Sequence, residues 1–322
     1  MKFRFNLTFQ LKTTIYSLVM GRHTAEREWK RAALPRSGPP LRHYAKPHAS
    51  PTDRVQHLRS RGLIIDRPNV AARKIEAIGY ERLRIYFLSR RDQPNKTFRP
   101  GTTYNHIIQL YKCDARLRAL AFEAVGRFEL AFRNTLSEAL SSRYGSHPFY
   151  DRNAFKDAGA HNKALAQVIK TFQQSKDDRA RHYKDAYDIP ALPPVWTLKE
   201  FLTFGGAAHL YAALAGPVRQ DIARVFGVPR LPVFDNWITC FVDLRNVCAH
   251  HDRLFNRRFQ KQLQHLPREG VPAANNNTLK ALLECLDHAL TAAGETSATV
   301  DEAHRIMNLQ IHAAVDPAEA GY

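Results

Sequence analysis

The sequence predicts an all-α protein, a multi-helix bundle, and three observations carry that expectation. From Thr52 onward, apolar residues recur at three- and four-residue intervals almost without interruption. No stretch sustains a two-residue alternation of β-branched side chains ending in a hairpin turn. Pro, Gly, Ser and Thr fall at the edges of the periodic runs, where helices start and stop.

Taken in order, Val55 and Leu58 followed by Leu63-Ile64-Ile65 give a short helix and a turn at Gly62. Pro68 suits the first turn of a helix over 69–90, with Val70, Ile75, Ile78, Leu83, Tyr86 and Phe87 on its apolar face. Gly79 can break that run in two. Pro100-Gly101 closes it, and Thr102 or Thr103 can cap the next helix. Residues 104–143 form the longest helical pattern, with Ile107, Leu117, Val125, Phe128, Phe132, Leu136 and Leu140 on a broad buried face. Within it, Asp114–Arg118 and Glu129–Arg133 are acid-before-base pairs at i,i+4. Such pairs are worth about 0.2–0.5 kcal/mol each when exposed. Further helices are expected over 160–175, 178–187, 195–203, 206–214, 218–226 and 232–250, with Pro-rich hinges at 190–194 and 229–232. A last one begins near Asn277-Thr278. Trp196 and Trp237 read as core.

Composition narrows the class. With 322 residues, 44% apolar and 24% charged, the chain can build a sizeable core, which excludes wholesale disorder and a collagen-like repeat. Four scattered cysteines, Cys113, Cys240, Cys248 and Cys285, lack paired spacing and fit a reducing, cytoplasmic setting. No apolar run approaches the ~20 residues a bilayer requires. In the opening twenty residues, Asn6, Thr8, Gln10, Lys12, Thr13 and Thr14 interrupt any signal-peptide core, and Met20 is an alternative start.

Charge is the first functional clue. Of the net +18, residues 1–99 hold +15, from 22 Lys+Arg against 7 Asp+Glu. An excess confined to one third of the chain suits a polyanion, nucleic acid before a membrane surface, because no basic stretch also has a clean apolar face. Three regions follow: a basic arm over 1–50, a helical domain over 51–258 and a helical extension over 259–322.

The densest cluster of reactive groups is Asp243-Leu244-Arg245-Asn246-Val247-Cys248-Ala249-His250-His251-Asp252-Arg253. Metal-independent RNA cleavage needs an imidazole to take the 2′-OH proton and return one to the leaving 5′-oxygen. It also needs a fixed cation at the phosphate, which the planar guanidinium fork supplies. Arg245 and His250 are the right types, but on a straight helix they stand about 140° apart, so a twofold-related copy or an earlier helix end would have to bring them to one phosphate. Arg245 can instead pair with Asp243 or Glu200, and His250 can simply cap a helix end. Cys248 reads as a small buried apolar residue. Adjacent His250 and His251 do not make a metal set, so no metal or other cofactor is expected. Arg253, Asn256 and Arg257, with Phe255 interleaved, suit phosphate and base-stacking contacts, and Arg82, Arg84, Arg90 and Arg91 form a basic run suited to an RNA track.

The segment RNVCAHHDRLFNR over 245–257 resembles the signature of the Abi-like family, proteins of abortive phage infection placed in the HEPN superfamily. The resemblance extends through HLRSRGLII (57–65), IGYERLRIYF (78–87), FRPGTTYNHIIQLYKCDARLR (98–118), GRFELAFRNTLSEAL (126–140) and LPPVWTLKEFLTFG (192–205). It departs at Arg84-Ile85, where small residues are usual, and at Cys113, where an aromatic is usual. The resemblance implies an Arg–His endoribonuclease active as a homodimer, with Arg245 and His250 as the reacting pair and Asn246 as the accompanying polar residue. RNA is the expected partner, with an antitoxin or noncoding RNA as a further one. The alternative is a non-catalytic RNA-binding or sensing module.

Overall fold

Helix boundaries follow from side chains the chain supplies locally. The computed structural model describes residues 47–92, 95–309 and 316–320, so the expected arm, apart from 47–50, lies outside the described residues together with the opening twenty. Twelve α-helices are present among the described residues: α1 (Pro51–Ser60), α2 (Pro68–Ile78), α3 (Tyr80–Leu88), α4 (Tyr104–Tyr144), α5 (Ala158–Gln174), α6 (Asp178–Ala186), α7 (Val195–Leu198), α8 (Phe204–Ala213), α9 (Gly216–Val225), α10 (Leu231–Ala249), α11 (Leu279–Ala292) and α12 (Thr299–Met307). Backbone pairing of β type is confined to isolated bridges such as Ile64–Thr103, so the all-α expectation holds.

Ser50, Thr103, Asp157, Asp177, Thr203 and Thr278 each accept a first-turn N–H, which satisfies donors a helix leaves open at its start. The expected 69–90 helix is two, because Gly79 at φ 93° ends α2 and begins α3. The expected 195–203 helix is a single turn, α7, followed by a 3-10 turn over Lys199–Phe201. The periodicity did not anticipate α12. Its N-cap, Ala298, has no side-chain oxygen to offer, and the Asp287 carboxylate on α11 supplies the cap instead. It accepts from Ser297 Oγ, Thr299 N and Oγ1, and Val300 N at 2.5–3.0 Å.

At 41 residues, about 60 Å by helical rise, α4 is the axis of the bundle. Helices α3, α7, α8, α9, α10, α11 and α12 all pack on it, and α10 does so most extensively. All twelve belong to one compact unit that begins at Ala49. One apolar core runs from Val55 to Met307 and takes residues from both sides of position 258. At its centre the Phe128 ring meets Phe241 at 4.8 Å, Phe226 at 4.9 Å, Phe132 at 5.9 Å and Phe204 at 6.0 Å, so α4, α8, α9 and α10 converge on one side chain.

Two residues depart from expectation. Trp237 is core, its indole N–H donating to the Gln264 carbonyl, but Trp196 is 48% exposed. It sits in the one-turn α7, too short to bury a helical face on both sides. Phe255 is buried at 1% exposure and is therefore not available to stack on a base.

All four cysteines are free and buried. Burial pushes the thiols of Cys113 and Cys248 up to about 12 and that of Cys240 up to about 11, and raises that of Cys285 as well. A thiol reagent at pH 8 should therefore leave all four unlabelled in the native protein and modify all four in denaturant. Phe128→Ala should cost about 3–5 kcal/mol of unfolding free energy, measured by chemical denaturation, because the cavity opens where four rings meet.

Candidate active site

The reactive segment lies at the C-terminal end of α10, and how that helix stops decides what is presented. The helix ends at Ala249 with His250 as C-cap, and His251 follows at φ 56°. His251 N donates to the Cys248 carbonyl at 3.0 Å and Asp252 N to the Val247 carbonyl at 2.9 Å. These two bonds make a Schellman turn with histidine, not glycine, in the left-handed position. That conformation is uncommon for a residue with a Cβ. Asn246 and His250, four residues apart on one face, are both exposed. Arg245 points along the flank facing α4, and its side chain is 34% exposed.

The turn is held down by a buried carboxylate. Asp114 on α4 is fully buried, and its Oδ1 accepts from Leu254 N at 2.9 Å and Phe255 N at 2.6 Å. Its Oδ2 accepts from Tyr86 Oη at 2.6 Å and from the Arg118 guanidinium. Arg118 also reaches the Asp252 carbonyl at 3.3 Å. The Asp114–Arg118 pair, i,i+4 in sequence, is thus a buried ion pair with every acceptor position used. Burial, then the charge of Asp114, pushes the Tyr86 phenol well above its ordinary value. Burial opposes the charge on Arg118, but Asp114 and Tyr86 more than offset it and hold the guanidinium above its usual range. From α3, Arg82 Nη1 donates to the His251 carbonyl at 2.6 Å.

Arg245 pairs with neither Asp243 nor Glu200. Asp243 is bound to Lys261 at 2.9 Å, and Glu200 lies against Arg179 and Lys199. The partner of Arg245 is Glu129 on α4, Nε to Oε2 at 3.8 Å, while the other oxygen of Glu129 takes the Arg133 guanidinium. Glu129 and Arg133 are 11% and 16% exposed, so this carboxylate bridges two arginines in a largely desolvated position. At 3.8 Å the Arg245 contact is an ion pair and not a hydrogen bond, and its buried Nε has no hydrogen-bond partner among the described residues.

The remaining expected RNA contacts divide. Arg253 Nη2 donates to the Asn256 carbonyl at 3.2 Å and Arg257 Nη1 to the Arg253 carbonyl at 3.3 Å, so both arginines help to fold their own loop. Asn256 is exposed at φ 52°. Arg84 pairs with Glu81, and Arg91 lies 4.6 Å over the Phe98 ring. Arg90 also has an interaction partner. Sequence reasoning missed Glu129 as the partner of Arg245 and Arg82 as a strap on the motif, since neither contact is local in sequence.

A cleft of about 710 Å³ lined by His147, Tyr183, Tyr187 and Pro190, and one of about 570 Å³ lined by Lys156, Lys163 and His209, include none of residues 245–257. The motif lies on open surface, which suits a polymer better than a small molecule. Among the described residues, no group of three or more His, Cys, Asp or Glu side chains is placed to hold a metal ion, and no helix is long and apolar enough to cross a membrane.

The family model for Abi-like proteins matches residues 73–256, more than half of the chain. The chain belongs to the Abi-like family. No curated protein and no solved structure matches it. The span shared with Abi-like proteins takes in Arg82, Asp114, Glu129, Arg245 and His250, and excludes the 57–65 resemblance, α11 and α12. In this Abi-like chain the family segment therefore carries both the motif and the two carboxylates beneath it.

Asp114→Ala strands a buried guanidinium, a phenol and two backbone N–H groups. It should cost about 3–5 kcal/mol, and hydrogen exchange at the Leu254 and Phe255 amides should lose its protection.

Proposed function

We propose that this Abi-like protein acts in abortive phage infection as a metal-independent endoribonuclease of the cytoplasm, with the Arg–His chemistry of the HEPN superfamily. The observation that carries this reading is the end of α10. Asn246 and His250 stand exposed on one face, and Arg245 flanks them with its side chain one-third exposed.

In this reading His250 takes the proton from a ribose 2′-OH. The 2′-oxygen attacks the adjacent phosphorus, the bond to the 5′-oxygen breaks, and that oxygen receives a proton from an imidazolium. The products are a 2′,3′-cyclic phosphate and a 5′-OH end. Arg245 holds the non-bridging oxygens as charge grows on them, and Asn246 orients the strand. In this reading the active form is a homodimer, with Arg245 and His250 of both copies lining one cleft.

A second reading, a non-catalytic RNA-binding module answering to an antitoxin or noncoding RNA, is favoured by one observation: Glu129 already engages Arg245. Purified protein separates the two. Under the first reading it cleaves RNA in excess EDTA, and His250→Ala lowers the rate by about 10²–10⁴-fold with an unchanged circular dichroism spectrum. Cleavage that persists in His250→Ala overturns the catalytic assignment, and salt-dependent binding without scission supports the second reading.

A further inference from the structure

Three guanidiniums and one imidazole that the motif does not use meet where α1 ends and the chain leaves α3. Arg54, His57 and Arg61 fall at i, i+3 and i+7, a single stripe along α1 and its C-cap. Arg91 joins them from the turn after α3. The four feel one another: burial, then the charges of Arg61, Arg91 and Arg54, holds the His57 imidazole below its ordinary value.

These arginines are positioned, not loose. The Arg54 guanidinium lies 4.4 Å over the Tyr80 ring, and that of Arg91 lies 4.6 Å over Phe98 and 5.9 Å from Phe87. Tyr80, Phe87 and Phe98 form a continuous ladder, each step 5.9 Å between centroids. Arg61 Nη1 donates to the Asn95 carbonyl at 3.4 Å.

Yet none of the three has a carboxylate within ion-pair distance among the described residues. The nearest acids in sequence are engaged elsewhere: Asp92 lies against Arg99, and Asp53 closes the capping box of α1 with Ser50. Moreover, Nε and Nη2 of Arg91 are buried with no hydrogen-bond partner among the described residues. A fold that gathers like charges with no carboxylate among them carries an electrostatic cost, and an anion with several acceptor oxygens relieves it. The patch is also long, with about 10 Å of helix axis between Arg54 and Arg61, which suits a strand of repeating charges better than one small ion. The rings beneath the arginines are covered by them, so the patch grips backbone and not bases.

We propose that Arg54, His57, Arg61 and Arg91 form a phosphate clamp for the backbone of a single RNA strand, separate from the Arg245–His250 motif. The proposal rests on RNA as the partner, and its test keeps the two failures apart. The shared chemistry is phosphate, so one arm uses oligouridine and the other inorganic phosphate. Both use the full chain carrying His250→Ala, so that the strand stays intact. In the oligouridine arm, Arg54→Gln with Arg91→Gln should weaken binding about 10-fold or more and reduce the slope of log K against log salt by about 0.7 per arginine. Without those substitutions, oligouridine should raise the His57 pKa, read by NMR, because a phosphate facing Arg54, Arg61 and Arg91 favours the protonated ring. Binding should accordingly strengthen as pH falls through that value, a readout that stands even where the double substitution fails to fold. Unchanged affinity and slope with a motionless His57 titration overturn the clamp while leaving RNA binding intact. A His57 response to inorganic phosphate but not to oligouridine overturns the strand in favour of a free anion, and no RNA binding at all overturns the clamp together with the functional reading beneath it.

Discussion

Asp114 is the interaction on which the reactive segment depends. Its carboxylate sits in a dry position on the longest helix and takes four hydrogen bonds, two of them from backbone amides 140 and 141 residues away. A buried carboxylate is tolerable only with its lone pairs filled, so the chain after α10 is drawn back onto α4 in one register. That is what forces a helix stop immediately before, with His251 in the left-handed conformation and His250 turned to solvent. The exposure of the imidazole is thus a consequence of a buried ion pair one layer below it.

Arginine is used in two opposite ways in this protein. Where α4, α9 and α10 pack, guanidiniums are held by carboxylates: Arg118 by Asp114, Arg133 and Arg245 by Glu129, Arg219 by Asp235. At the α1–α3 edge Arg54, Arg61 and Arg91 have aromatic rings and carbonyls instead, and no acid among the described residues. The first arrangement fixes geometry inside the fold, and the second leaves positive potential at the surface.

Most helices were legible because periodicity and caps agree. Thr103 and Thr278 cap where they were expected to, and Gly79 breaks the 69–90 run because its backbone must turn at φ 93°. α12 was not legible, since its cap, Asp287, comes from another helix and leaves no local signature. The same reason hid the Glu129–Arg245 pair and the Arg82 strap. Phe255 looked like a stacking residue by its basic neighbours, but burial is decided by what packs on it. The end of α10 was expected at 250 and His250 is indeed its C-cap, but the left-handed His251 was not foreseen, because a Schellman turn without glycine has no mark in the sequence.

By itself the sequence determined the all-α class, the helix periodicity, the concentration of charge in the first third and the family segment, because each of these is carried by residue type and spacing along the chain. The tertiary structure alone decided which carboxylates are buried, which arginines they hold and which side of α10 meets solvent. Those outcomes depend on desolvation and on contacts between residues far apart in sequence, and local spacing carries no record of either.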